Sequence, residues 1–397
     1  MRYPPTARTV SLPVVTGRPV ALLLLPRALE GFILRDQVED LLEGPGVIAA
    51  DPPRVPYGAL ARLPAGLRET IASGQARRLL KTLRKGLARR HGGSRSDVRI
   101  GVVVIFHAVQ EPLARHLVRR AGEDCELWYG RWDRYEAAHD AAPPLRALLA
   151  ELHERAATAS ALTFCASVEL ERQERDAGRD AVLVGLSGGD FPAPEPLPVP
   201  TAAELDAVAP GAGTAVTDGE VVALSLGHLG RRTDWALLRA LCERRPGLRL
   251  LLVGERHDDE MPDDPDFAWV RDAPQVVWCG RRSDDEAALL LRGADVGLLP
   301  FRVDPFNDAG LPYRIVKAAK LGRPTITPDL AGVRTWEQAV EVAPDLDAFA
   351  AALDRAAGAR HRPDLELRAW ALRQTPRRVN RPLWDRLRER GVDTGGR

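Results

Sequence analysis

Cysteine is scarce in this 397-residue chain, and its four copies are scattered. Cys125, Cys165, Cys242 and Cys279 form no Cys-x-x-Cys pair. That argues against a disulfide framework or a cysteine zinc site and for a reducing compartment, expected to be the cytoplasm. Long apolar runs are missing too. The run PVALLLLP from Pro19 covers about eight residues, whereas a bilayer span needs roughly twenty. It follows prolines and lacks a small-residue cleavage site, so it reads as a buried strand and not as a signal peptide. No transmembrane segment is expected, which still leaves peripheral membrane association compatible with the sequence. An excess of one charge sign is absent: the formal net charge is +1, and no global field calls for nucleic acid as a partner. Lysine occurs only at 81, 85, 317 and 320; arginine supplies the rest, so arginine counts alone carry no argument.

What remains is an ordinary globular composition, 45% apolar and 28% charged, on a chain long enough for two α/β cores. In the first half, runs rich in Val, Ile and Leu stand at 20–25, 46–50, 98–106, 125–129, 161–165 and 181–185. Such strands, apolar on both faces, belong to parallel sheets covered by helices. Helical patterns lie between them, near 35–43, 68–90, 111–121 and 144–158. FPAPEPLPVP at 191–200 has five prolines in ten residues, too dense for a central strand or a helix interior. The reading is therefore a first domain over 1–190, a linker over 191–215 and a second domain over 216–363. A charged helical tail, 364–397, is expected to pack back on the first domain, kinked at Pro376 and Pro382.

After the linker, strand patterns recur at 221–227, 248–254, 275–280, 294–301, 323–328 and 339–343, alternating with helices. Three end in glycine: Gly227, Gly254 and Gly280. Ligands of open α/β sheets bind beyond the carboxyl ends of strands, where glycine admits close approach; the alternative is ordinary turn glycine. GHLGRRTDWALL (227–238) places Gly230, Arg231 and Arg232 between a strand and a helix. Two guanidiniums there suit a departing diphosphate, although solvated turn arginines would look the same. PFNDAGLPYRIVKAAKLGRP (305–324) carries Asn307, Gly310 and Leu311 into a helix begun near Pro312. Amides at a helix start attract anions. Arg314 and Lys317 are three apart and share a face, which Lys320 continues; a solvated basic face is the alternative. His107 follows the strand at 98–106, and Asp133 in YGRWDRYE follows the one at 125–129. They are candidates for an oxyanion or sugar contact and for an acceptor contact or base, against structural roles for each. The acidic pairs in 256–266 and 283–286 read as a proline-broken loop and a helix start at Ser283, not as an Asp-x-Asp metal motif. No metal site is expected.

The order of these segments, strand–Gly–x–x–Gly–Arg–Arg–x–Asp, LRLLLVG, VVWCG, ADVGLLPF and a Pro-x-basic helix ending in LGRPTITP, resembles the donor domain of glycosyltransferase family 4. The resemblance covers 221–343 well, and 166–191 resembles the end of that family's first domain. It implies an α/β fold of two facing, Rossmann-like, doubly wound domains (GT-B). The implied activity is sugar transfer, with retention, from a nucleotide diphosphate sugar to a carbohydrate or lipid-linked acceptor. A place in cell-envelope or exported polysaccharide synthesis goes with it, and no permanently bound cofactor. The donor base would lie on the 254–256 and 277–282 loops, near Trp278 and Arg281. Arg231, Arg232, Arg314 and the backbone at 310–312 would hold the diphosphate. The family usually carries two glutamates separated by seven residues. Lys317 stands where the second would be, and the first has no clear counterpart, with Asn307 and Asp308 nearby. Ribose or sugar recognition is expected to differ. Lys317 would either favour an extra negative charge on the donor, such as a uronic acid, or pair with Asp304 or Asp308. A nucleotide-sugar epimerase or a degenerate nucleotide-sugar-binding protein on the same fold are the rival readings.

Overall fold

The computed structural model describes residues 18–53, 55–91, 99–138, 141–214 and 219–396. The apolar runs form two sheets. The first is built from β1 (Pro19–Leu24), β2 (Val47–Ala50), β3 (Arg99–Ile105), β4 (Glu126–Arg131), β5 (Leu162–Cys165) and β6 (Ala181–Leu183), in the order β2-β1-β3-β4-β5-β6. The second contains β7 (Val221–Leu226), β8 (Leu248–Val253), β9 (Val276–Gly280), β10 (Val296–Leu298), β11 (Thr325–Thr327) and β12 (Val340–Val342), in the order β12-β11-β10-β7-β8-β9. All described strand pairs are parallel. The strands' apolar character on both faces follows: β1 is buried along its whole length, because helices cover each side of the sheet.

Each sheet reverses its winding once, and the reversal fixes where a ligand crevice opens. In the first sheet it falls between β1 and β3. In the second it falls between β7 and β10, whose carboxyl ends lead into Gly227 and into Pro300-Phe301. The helices arise where the sequence pattern puts them: Arg35–Leu42, Ala65–His91, Glu111–Ala121 and Pro143–Ala159 in the first half. Ser283 caps the helix Asp284–Gly293 through a reciprocal bond with Glu286, the arrangement that marks a helix start in sequence.

The proline-rich crossing is shorter than the proline density suggests. From Thr201 the chain is already helical (Ala202–Val208), closed by a Thr201–Glu204 capping box. Leu205, Ala209 and Ala212 are buried beside Val222 and Leu251 of the second sheet. A capping box after a proline run is a sequence signal that compositional reading overrides. The tail folds as Leu365–Leu372, Pro376–Val379 and Arg381–Glu389, with prolines opening the last two helices. Asn380 and Trp384 both donate to the buried carboxylate of Asp40, on the first-half helix Arg35–Leu42. One continuous apolar cluster includes Phe106, Phe164 and Leu170 from one half and Phe301, Leu311, Ile315 and Val333 from the other. The two crevices therefore face each other across packed side chains.

Candidate functional site

The reversal point of the second sheet is shaped by glycine. Gly227 has φ 118° and Gly254 φ 151°, a region that L side chains rarely occupy. A Cβ on Gly254 would lie 1.7 Å from the carbonyl oxygen of Gly227, and one on Gly227 would lie 2.5 Å from an Arg314 nitrogen. The backbone gives way to a guanidinium. Arg314, from the helix Tyr313–Ala319, reaches across the end of β7, where it approaches the Ser225 hydroxyl at 3.5 Å, and lies 4.7 Å from the Phe301 ring centroid. Arg232 lies 4.6 Å from the same ring and 4.6 Å from Phe306. Its Nε donates to Asn307 Oδ1 at 2.9 Å. Burial, then the neighbouring Arg232 charge, hold the Arg314 guanidinium down to about 9. Two cations packed on one aromatic ring, with the charged form of one disfavoured, make a place where an anion stabilises both.

A carboxylate from the other half closes this place. Asp133 follows β4, and its Oδ1 lies 3.1 Å from where a Cβ on Gly310 would stand, with an Arg232 nitrogen 3.8 Å from that same point. Burial pushes the Asp133 carboxyl up to about 6, while Arg232 pulls the other way. Tyr135, two residues on, is raised well above its usual value by burial and next by Asp133. It packs 4.2 Å from the ring of His107, two residues past the end of β3. His107 Nδ1 accepts from the Val109 amide at 3.1 Å, and burial pushes the imidazole down to about 4. The neutral ring therefore carries its proton on Nε2, as a donor. The amides of Gly310 and Leu311 make no hydrogen bond among the described residues.

The sequence candidates separate accordingly. Arg232, Arg314, Gly227, Gly310 and Asp133 come together. Asn307 is fully buried, donating to the Arg232, Arg302 and Asp304 oxygens; it positions Arg232 and does not line the space. Arg231 points elsewhere. Arg231 and Arg232 sit in the turn closed by the Thr233 amide on the Gly230 carbonyl, and Arg231 lines an open depression with Glu260, Pro262, Asp263 and Arg302. The shared basic face predicted for 314, 317 and 320 does not form. Lys317 pairs with Asp284 at 2.8 Å and lies over the Phe191 ring. Asp304 instead caps the helix Pro305–Ala309, and Asp308 accepts from Ala331. Lys320 is buried, donating to the carbonyls of Gly188, Gly189 and Phe191; at about 100° per residue it stands about 120° round the helix from Arg314. Trp278 donates to the Arg271 carbonyl and packs near Trp235 and Phe267, while Gly280 and Arg281 are exposed. Phe301, Tyr135 and Ser225 escaped sequence reasoning. Phe301 had a signal, since it ends a strand at the point where winding reverses.

Residues 231–358 match the family model of glycosyl transferases group 1. A Bacillus subtilis protein, TuaH, described as a teichuronic acid biosynthesis glycosyltransferase, is 23% identical over 105 residues. The aligned stretch spans 26% of this chain and 26% of that relative. Among solved structures, HepE of Anabaena in complex with UDP and glucose superposes with a TM-score of 0.60 at 14% identity, covering 93% of this chain and 100% of that one. Sucrose-phosphate synthase of Thermosynechococcus elongatus gives 0.61 at 16% identity, covering 94% and 98%. At such identities the likeness establishes architecture: two parallel α/β sheets whose crevices face each other. No described helix is long and apolar enough to cross a membrane. The chain has the GT-B fold, and its residues 231–358 are similar to the glycosyl transferases of group 1.

Proposed function

We propose that the protein transfers a sugar from a nucleotide diphosphate sugar to an acceptor bound against the first sheet, with retention of configuration. The observation that carries this reading is the pair Arg232 and Arg314 on Phe301, at the reversal point of the second sheet. Breaking the sugar–phosphate bond puts negative charge on the leaving diphosphate. Guanidiniums fixed in advance by Asn307 and Ser225, with the amides of Gly310 and Leu311, stabilise that charge without reorganisation. The phosphates need no metal of their own. Asp133 and His107 approach from the acceptor side. Asp133 is suited to accept a hydroxyl proton, and the His107 Nε2–H to bond a sugar hydroxyl. The HepE complex with UDP and glucose supports a uridine donor by fold analogy, and the TuaH likeness supports a role in envelope or exported polysaccharide synthesis.

The test is product analysis by mass spectrometry with a panel of nucleotide sugars, with and without added carbohydrate and lipid-linked acceptors. Sugar-bearing acceptor plus free nucleoside diphosphate is the expected outcome. A changed sugar without acceptor would mean epimerisation. Donor binding with no product under any pairing would leave a nucleotide-sugar-binding protein.

A further inference from the structure

The loop after β7 and the loop after β8 are tied together through their backbones. Leu229 bridges Arg256, the Leu229 amide donates to Glu255, and the His257 amide donates back to Leu229. This pairing brings His228 and His257 face to face, with ring centroids 4.0 Å apart and planes inclined 27°. Glu260, closing the short helix Asp258–Glu260, meets both rings: His228 Nε2 lies 3.0 Å from one carboxylate oxygen, and His257 Nδ1 lies 4.0 Å from the other. The ligand atoms of the three side chains all lie within 4.8 Å of one another, and all three residues are half-buried.

A hydrogen-bonded network explains only part of this. At 4.0 Å the His257 nitrogen is beyond hydrogen-bond reach of Glu260, and its ring is otherwise held by the stack on His228. Atoms bound to one ion at about 2.0–2.2 Å stand about 3–4 Å from each other; the two distances to Glu260 are 3.0 and 4.0 Å, and the whole set lies within 4.8 Å. Two further features fit a built site. Gly230 keeps the space open: a Cβ there would lie 2.2 Å from Glu260 Oε2 and 2.4 Å from His228 Nε2. The Arg231 amide donates to Glu260 Oε2 at 2.8 Å and orients the carboxylate from outside, as supporting partners of metal ligands do.

We propose that His228, His257 and Glu260 bind one divalent transition-metal ion of the zinc class, clipping the loop after β7 to the loop after β8. Two imidazoles and one carboxylate select zinc, cobalt or nickel over magnesium or calcium, which prefer all-oxygen sites. Three protein ligands leave a coordination position for water. The site stands one residue from Gly227, so the ion stiffens the rim of the crevice. The inference rests on these three side chains and not on the reading of that crevice as a donor site.

Chelator-treated full-length protein is titrated with Zn2+ by calorimetry and with Co2+ by visible absorption, with Mg2+ as the control. One Zn2+ per chain is expected, no Mg2+ uptake, and a cobalt spectrum of nitrogen and oxygen ligation. His228→Ala, His257→Ala and Gly230→Ala should each weaken Zn2+ binding more than about 100-fold, beyond the loss typical of a supporting partner. Circular dichroism of metal-free samples checks folding, and His257→Gln serves if the alanine variant is perturbed. Wild-type uptake equal to that of His257→Gln overturns the proposal. So do cobalt–thiolate bands, which would assign the ion to the buried cysteines.

Discussion

Asp133 holds a carboxyl raised from 3.8 to about 6 by burial. The sign of its pH dependence follows. The folded chain binds a proton at this site that the unfolded chain has released between those values. Its stabilising contribution is therefore complete below about pH 4 and is lost as pH rises through about 6. Asp133→Asn removes that loss. Its thermal midpoint should exceed the wild type's at pH 8 and match it near pH 4, while transfer falls about 10²–10⁴-fold as a positioned base is removed. A variant as active as wild type would reduce Asp133 to a buried spectator. The two neighbouring arginines should behave differently, although the sequence treated them as equals. Arg232→Ala should add about 2.7–4 kcal/mol to the transfer barrier at saturating donor, by analogy with loss of an oxyanion donor. Arg231→Ala, facing the 260–266 loop, should keep a turnover near the wild-type rate. Steady-state kinetics of both variants reads the difference. Nothing in the dipeptide Arg231-Arg232 says which guanidinium turns inward; the packing of Phe301 and Phe306 decides it.

The strand–helix units were legible because both signals are local: short apolar runs bounded by turns, and capping residues such as Ser283 with Glu286. The helix Tyr313–Ala319 shows where local reading stops. Its start at Pro312 was legible, but the directions of Arg314, Lys317 and Lys320 depend on Phe301, Asp284 and the 188–191 carbonyls, all distant in sequence. The cluster of His228, His257 and Glu260 was hidden for the same reason, since 29 residues separate His228 from His257 and only the pairing of two loops joins them. The turns after β7 and β8 make a sharper stability prediction. Gly254→Ala would force a Cβ against the Gly227 carbonyl in a strained backbone region. It should cost more than about 3 kcal/mol in chemical denaturation, among the larger single-site effects. Gly280→Ala, with φ 66° but open space around it, should cost only about 1–2 kcal/mol. Equal losses would mean that strain alone, and not the close approach of the two turns, sets the requirement.

The two halves are joined through side chains as well as through the 191–200 crossing. Asp40 accepts from Asn380 at 2.8 Å and from Trp384 at 2.9 Å, anchoring the C-terminal helices on the first half. Asp40→Ala leaves both buried donors without this partner and should lower stability by about 2–4 kcal/mol, measured by denaturant unfolding. The Ser167 hydroxyl donates to the Ala309 carbonyl at 2.6 Å, just before the loop that carries Gly310, so the first half also positions this loop of the second. Sequence order alone indicated two domains, but not that Asp133 of one would meet Arg232 and Gly310 of the other. The most direct measurement is calorimetric titration of nucleoside diphosphates, uridine diphosphate first, into wild type, Arg232→Ala and Arg314→Ala. A nucleoside diphosphate should bind the wild type and lose at least about tenfold, or roughly 1.4 kcal/mol, in each variant. Binding that both variants retain undiminished, or no binding by any nucleoside diphosphate, would contradict the assignment of this crevice to the donor.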